Sequence, residues 1–164
     1  MLQVLAARRV QWLVTPPLSV AILVLAASPV AAAGPRIAAS GGVVQTSFVQ
    51  SNVRSAGGVT LFDFTEHDSL SGTVSGTSVL QGSCVVRASG RGSCHAVETF
   101  TGTVAGQAGT AQFVDVFSIN SAGAFQGRFV VVGGTGNLAN LHGHGTFHGT
   151  GTTGTYSGRL FFAP

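Results

Sequence analysis

The sequence contains no lysine, and only 8% of its residues are charged. Its basic residues are eight arginines, among which Arg8 and Arg9 form the one adjacent pair. Proteins that bind nucleic acid neutralise many phosphates and therefore carry basic runs or patches, commonly interleaved with aromatic side chains. Because the chain has no such run, its composition argues against a nucleic-acid partner.

Cysteine occurs only twice, as Cys84 and Cys94. Their spacing does not match that of zinc ligands, and no other cysteine is present to complete a thiolate set. The residues between them fit a hairpin with the three-residue loop Ala88-Ser89-Gly90, in which Gly90 adopts the left-handed conformation. This register places the two cysteines opposite each other, so we expect a disulfide that stabilises the fold by about 2 to 3 kcal/mol.

No apolar run reaches the roughly 20 residues that a membrane-spanning helix requires. A short apolar core from Leu18 to Ala27 follows the basic pair, and Ala31-Ala32-Ala33 before Gly34 fits the small-residue rule of signal peptidase. We expect residues 1–33 to be a signal peptide, with an uncleaved anchor as the alternative. The protein would then be secreted or periplasmic, without stable membrane anchoring. Arg8 to Leu13 loosely resembles a twin-arginine signal, so both general and twin-arginine export stay open.

The residues after this segment predict a single all-β domain. We expect a short flexible segment over residues 34–42 and one domain over 43–164. Glycine, threonine, serine, valine and phenylalanine dominate, and no apolar segment has the 3.6-residue period of a helix. Turn signals divide the domain into about eight strands, the first two over residues 43–50 and 59–67. An open sheet of this size would expose edges prone to aggregation, which favours an antiparallel closed β-barrel, with a two-sheet β-sandwich as the alternative.

Two acidic side chains are predicted to face the interior of this sheet. The face that carries Cys84 is apolar at alternate positions and continues on the next strand to Glu98. A two-residue loop at Ala105-Gly106 then sets Glu98 opposite Phe113, with Asp115 as its diagonal neighbour. An interior carboxyl without a partner has a raised pKa or needs a hydrogen bond. The pair therefore fits a catalytic acid and base, a polar anchor for a ligand, or a structural hydrogen-bonding role, of which we favour the last.

The direction of the following strand depends on the length of the loop after Asn120. A three-residue loop faces Phe129 inward, whereas a four-residue loop would place Arg128 opposite Asp115 as a buried ion pair. The first buries more aromatic surface and is preferred. Alternation then places nine of the eleven phenylalanines on inner rows, all except Phe48 and Phe161. The candidate ligand contacts are Phe64, Glu98, Phe100, Phe113, Asp115, Phe117 and Phe129.

Three histidines share one face of the predicted seventh strand. His142, His144 and His148 have one parity, and Leu141 and Phe147 have the other, so the histidines should face outward. Imidazoles two residues apart can bind one metal ion, which makes His142 and His144 alternative metal candidates. Solvated or inter-subunit histidines are the preferred interpretation, and no cofactor is expected. The acidic group Glu66-His67-Asp68 is interpreted as a solvated turn near a strand end.

Three segments in order resemble a known family: LSGTVSGT at 70–77, ETFTGTVAG at 98–106 and GTGNLANLHGHGT at 134–146. Together they are similar to a bacterial domain-of-unknown-function family with an allene oxide cyclase-like barrel. The resemblance implies an antiparallel barrel of the cyclase and dirigent kind and implies no activity. Asn137 stands where the family usually has an acid, so a function tied to that acid would not carry over.

These observations predict a secreted, non-enzymatic barrel that binds a small hydrophobic ligand or a partner. The alternative is a cyclase-like or isomerase-like enzyme that uses Glu98 or Asp115 to transfer a proton. A second alternative is a structural surface protein that self-associates, and a homo-oligomer is left open.

Overall fold

The computed structural model describes residues 34–164, which form eight β-strands without a helix. The predicted signal peptide, residues 1–33, lies outside the described residues. The strands are β1 (Ile37–Ala56), β2 (Val59–Gly72), β3 (Val74–Arg87), β4 (Gly92–Val104), β5 (Gln107–Ile119), β6 (Ala124–Gly136), β7 (Leu141–Thr150) and β8 (Thr153–Phe162). In the described part, no helix is long and apolar enough to span a membrane.

Each strand pairs antiparallel with its neighbour in the chain, and β1 also pairs with β8. The sheet therefore closes into a barrel, which confirms the barrel over the sandwich. Closure pairs every strand on both sides, although β8 covers β1 only as far as Val44. Residues 37–42 belong to β1 rather than to a flexible segment, because Ile37 and Ala39 pack into the core opposite β8.

The predicted hairpin registers are confirmed. Cys84 pairs with Cys94, and Glu98 pairs with Phe113. Ala105 and Gly106 both have positive φ, 49° and 84°, as a two-residue hairpin turn with right-handed strand twist requires. The three-residue loop after Asn120 is also present, because Asp115 pairs with Phe129. Arg128 consequently lies on the exposed outer face and makes no ion pair with Asp115.

One end of the barrel, the closed end, is filled by apolar side chains. The core there consists of Ala39, Val74, Phe100, Val104, Ala111, Phe113, Phe129, Val131, Leu138, Leu141, Tyr156 and Leu160. Leu138, in the turn between β6 and β7, is fully buried and packs against Gly109 and Gly134. Leu138 belongs to the segment at 134–146 that carries the family resemblance. This segment therefore helps to close this end of the barrel.

Tyr156 connects three strands at the closed end. Its hydroxyl accepts a 2.8 Å hydrogen bond from the Val74 amide and lies 3.0 Å and 3.1 Å from the carbonyls of Ser71 and Val74, to one of which it donates. A Cβ at Gly41 would overlap this ring and the Ser71 carbonyl. Only glycine therefore fits position 41 without displacing the tyrosine.

Strand β1 contains two irregularities that change which residues face inward. The register with β2 shifts between Gln45 and Ser47 and again between Ser51 and Arg54. The first shift is a β-bulge that leaves one extra residue unpaired and reverses the alternation. Phe48 consequently turns toward the barrel interior and stacks on Phe64 with ring centroids 5.5 Å apart. The prediction that Phe48 lies off the inner rows is wrong for this reason.

Candidate functional site

The barrel interior contains a cavity of about 350 Å³ above the closed-end core. It reaches the opposite end, here called the open end, where the loops after β5 and β7 contribute Gly123, Gly151 and Thr152 to its wall. An eight-stranded barrel of this kind has room for packed side chains or for one small ligand. In this barrel, apolar side chains fill the closed end, and the cavity occupies the open end.

Phenylalanine contributes more residues to the cavity wall than any other residue type. The eight that line it are Phe48, Phe62, Phe64, Phe113, Phe117, Phe125, Phe129 and Phe147. Phe117 links two of its neighbours through edge contacts, with centroids 6.2 Å from Phe64 and 5.9 Å from Phe147. Such edge-to-face pairs hold each ring in one orientation. The wall is therefore mostly apolar, and edge contacts between neighbouring rings hold the rings in place.

Inward-facing glycines explain why these rings leave a cavity. A Cβ at Gly127 would lie 2.5 Å from the Phe117 Cβ and 2.7 Å from the Phe147 Cζ, and one at Gly145 would overlap the Phe129 ring. The phenylalanine side chains therefore occupy space that a side chain at these glycine positions would need. Glycine at these inward positions thus makes room for the rings beside the cavity.

Four carboxyl side chains also line the cavity, and we call Glu66, Asp68, Glu98 and Asp115 the acid belt. They are four of the five acids in the chain. Strand register brings them together, because Glu66 and Glu98 pair with Leu80 from its two sides, and Asp115 is diagonal to Glu98. The fifth acid, Asp63, lies on the other face of β2 and accepts a 2.8 Å hydrogen bond from the Asn52 side chain.

Two members of the acid belt are almost completely buried. Asp115 is 2% exposed and Asp68 is 6% exposed. Within residues 34–164 the Asp115 oxygens and the Asp68 Oδ1 have no hydrogen-bond donor when all the carboxyls are ionised. Glu98 lies close enough to Asp115, and Glu66 to Asp68, for a hydrogen bond to form when one carboxyl of the pair keeps its proton, and the Ser78 hydroxyl lies close enough to donate to Glu98. Buried polar groups are normally paired, since an unpaired one loses its hydration without replacement. Buried carboxyls whose nearest partners are other carboxyls are therefore unusual for a purely structural site.

Burial raises the pKa of all four acids in the belt. Loss of hydration, reinforced by the nearby Glu98 carboxyl, raises the pKa of Asp115 to about 8. Loss of hydration and the Glu66 carboxyl likewise raise the pKa of Asp68 to about 8. Burial is also the main cause of the raised pKa values of Glu66 and Glu98. Because like charges close together resist ionising together, the belt keeps some of its protons near neutral pH.

The structure places most of the candidate ligand contacts on the cavity wall. Those on the wall are Phe64, Glu98, Phe113, Asp115, Phe117 and Phe129. Phe100 is not among them, because it is fully buried in the closed-end core and packs edge-on against Phe113 at 6.4 Å. A ligand-binding role for the wall residues stays a prediction.

Sequence reasoning missed half of the acid belt. Glu66 and Asp68 are not part of a solvated turn, because β2 continues to Gly72 and both residues pair with β3. Their parity continues that of Phe62 and Phe64 on the same strand. Alternation along β2 is therefore the sequence pattern that indicates that Glu66 and Asp68 face inward. The change from apolar to acidic residues after Phe64 instead resembles the end of a buried strand.

The histidines of β7 lie outside the cavity. His142, His144 and His148 are exposed on the outer face, as predicted. His142 stacks on Phe161, with centroids 5.5 Å apart. Over residues 34–164 no group of three or more potential ligands is arranged to hold a metal ion. A metal-binding role for His142 and His144 stays a prediction.

The predicted disulfide joins Cys84 and Cys94 across β3 and β4, with their Cα atoms 4.2 Å apart. Both cysteines are buried and belong to the cavity wall. Structural disulfides persist mainly outside the reducing cytoplasm, so this bond indicates a non-cytoplasmic location.

Comparison with known proteins identifies the family. Residues 41–158 match the family described as "Protein of unknown function (DUF3224)". A crystal structure of a DUF3224 protein from Shewanella oneidensis MR-1 superposes with a TM-score of 0.67 at 18% sequence identity, covering 79% of this chain and 100% of that chain. No curated protein matches the sequence. The family match spans well over half of the sequence and confirms the predicted domain-of-unknown-function resemblance, so the chain belongs to the DUF3224 family.

Proposed function

We propose that the protein binds one small hydrophobic molecule in its barrel cavity. The observation that carries this proposal is the cavity itself, about 350 Å³ in volume, open at one end and walled by eight phenylalanines. Ligand sites typically enclose about 300 to 1,000 Å³ and combine apolar walls with a few polar groups. The acid belt supplies such polar groups.

Export is part of the same proposal. The predicted signal peptide over residues 1–33 and the Cys84–Cys94 disulfide both favour a secreted or periplasmic protein. An exported binding protein would capture its ligand outside the cytoplasm.

Binding can be tested with N-phenyl-1-naphthylamine, an uncharged dye whose fluorescence rises in apolar surroundings. The purified, disulfide-bonded protein should bind it saturably at one site per chain. Leu80→Trp should weaken binding at least tenfold, because Leu80 lies on the cavity wall and a larger side chain there fills the space. The neighbouring Gln81 is exposed on the outer face, so Gln81→Trp should bind the dye like the wild type.

Thermal unfolding establishes that each variant is folded before it is compared. If Leu80→Trp fails to fold, Ile119→Trp replaces it, since Ile119 lines the cavity at the end of β5. Absence of saturable binding to the wild type, or equal binding by folded wall and outer-face variants, would overturn the proposal.

A second candidate function is proton-transfer catalysis of the isomerase or cyclase type. It is favoured by one observation, the adjacency of Asp115 and Glu98 within an apolar cavity. A carboxyl whose pKa is raised to about 8 can donate a proton at neutral pH, and whichever carboxyl of the pair has lost its proton can accept one. Any ligand that binds should then be recovered as an isomer of equal mass, detectable by NMR, and Asp115→Asn should bind it without converting it. Recovery of only unchanged ligands would exclude this candidate.

A further inference from the structure

We propose that the ligand carries a protonated amine, which the acid belt binds while its apolar part rests against the phenylalanine wall. This inference rests on the proposed binding function and specifies the chemical class of the ligand. It predicts a small amphiphilic ammonium cation rather than a neutral hydrocarbon, a fatty acid or a metal ion.

Basic and acidic side chains are distributed unequally between the outside of the barrel and its cavity. All six arginines and all five histidines within residues 34–164 are exposed, and none lines the cavity. Four of the five acids face inward. The interior therefore has carboxyl groups and no basic side chain of the described chain to balance them.

The lack of a donor other than a neighbouring carboxyl around Asp115 indicates what would complete the site. A buried ion is stabilised when an opposite charge and hydrogen bonds replace the water it loses. An alkylammonium group offers a positive charge and three N–H donors in a compact head. Such a head group would donate to the Asp115 carboxyl and to the acids beside it, which otherwise have only one another's protons to share.

The arrangement of the wall favours an organic cation over a metal ion. Among the described residues, the acids do not form a group that could hold a metal. Their spread over β2, β4 and β5 instead suits a head group that hydrogen-bonds to several carboxyls from a wider pocket. Nearby phenylalanine rings add the attraction between a cation and the face of an aromatic ring.

The order of residues along the strands also orients the ligand. On β2, Phe62 and Phe64 lie between the open end and the acids Glu66 and Asp68. On β5, Phe117 lies on the open-end side of Asp115. A ligand entering from the open end therefore passes the aromatic residues before its head reaches the acid belt. Its apolar part then lies against the rings that it has passed.

Three matched probes test the proposal: 4-phenylbutylamine, 4-phenyl-1-butanol and 4-phenylbutyrate, which share one apolar part and differ in head-group charge. Calorimetry at pH 8 should show the amine binding at least tenfold more tightly than the alcohol, and the carboxylate more weakly than both. Asp115→Asn and Glu98→Gln should each remove most of the amine preference while alcohol binding is retained. Asp63→Asn is the matched control, because Asp63 is the acid on the outer face of β2 and should leave the preference unchanged.

The outcomes separate this inference from the function on which it rests. Equal binding of amine and alcohol, both competing with the naphthylamine dye, would overturn the amine inference and leave the binding function standing. An amine preference that persists in both folded acid-belt variants would place the cation elsewhere on the protein and overturn the inference too. Failure of all three probes and of the dye would reject the binding function itself.

Discussion

Replacing Asp115 with asparagine should make the protein more stable in alkaline solution, although the side chain is almost completely buried. The pKa of this carboxyl is raised from an ordinary value of 3.8 to about 8. The folded state therefore holds the proton more tightly than the unfolded state does. Stability contributed by this proton is fully present below about pH 4 and is lost as the pH rises toward 8.

The magnitude follows from the size of the shift. Each pKa unit corresponds to about 1.4 kcal/mol, so a shift of about four units costs on the order of 5 kcal/mol once the carboxyl is ionised in the folded protein. An asparagine at this position cannot ionise and avoids that cost, but its buried amide would need hydrogen bonds whose absence costs about 1 to 3 kcal/mol. The net gain expected for Asp115→Asn at pH 9 is therefore about 2 to 4 kcal/mol.

Urea denaturation followed by circular dichroism at pH 5, 7 and 9 measures this difference. The free energy of unfolding of Asp115→Asn should exceed that of the wild type at pH 9, and the gap should shrink or reverse at pH 5. Asp63→Asn should show no comparable pH-dependent gain, because Asp63 lies outside the acid belt and already accepts a hydrogen bond. An advantage for Asp115→Asn that is equal at pH 5 and pH 9, or absent at pH 9, would refute the reasoning.

Three further predictions concern the elements that hold the barrel together. Replacing both Cys84 and Cys94 with alanine should lower the free energy of unfolding by about 2 to 3 kcal/mol through the freedom regained by the unfolded chain, measured by urea denaturation; an unchanged midpoint would contradict this. Leu138→Ala should cost about 2 to 5 kcal/mol because Leu138 is fully buried in the seal of the closed end, and a thermal melt within 1 °C of wild type would exclude that role. Gly41→Ala should displace Tyr156, which a changed near-ultraviolet circular dichroism spectrum would report and an identical spectrum would disprove.

Local hairpin geometry explains why part of the site was predictable. The turns at 88–90, 105–106 and 121–123 are short and place glycine where positive φ is required, so each fixes the register of its two strands. Once the register was fixed, the inward direction of Glu98 and Asp115 followed from alternation alone. This part of the site depends only on residues close together in sequence.

The remaining features depend on contacts between distant parts of the chain. The inward turn of Phe48 results from a bulge in β1, whose position is set by pairing with β2 more than 15 residues later. Glu66 and Asp68 look like a polar strand end until β3 is seen to pair with both. The cavity itself arises where rings from one strand lie over glycines of another, such as Phe129 over Gly145. The alternation of residues along a single strand does not predict these contacts between strands.

Because Leu138 helps to fill the closed end, the cavity of the described barrel opens at the other end and does not run through it. A ligand in the cavity would enter and leave past the same loops, at 120–123 and 151–152. Those loops are joined by a hydrogen bond of 3.0 Å from the Gly151 amide to the Gly123 carbonyl. Entry and exit of a ligand would therefore both depend on the width of the mouth that these joined loops border.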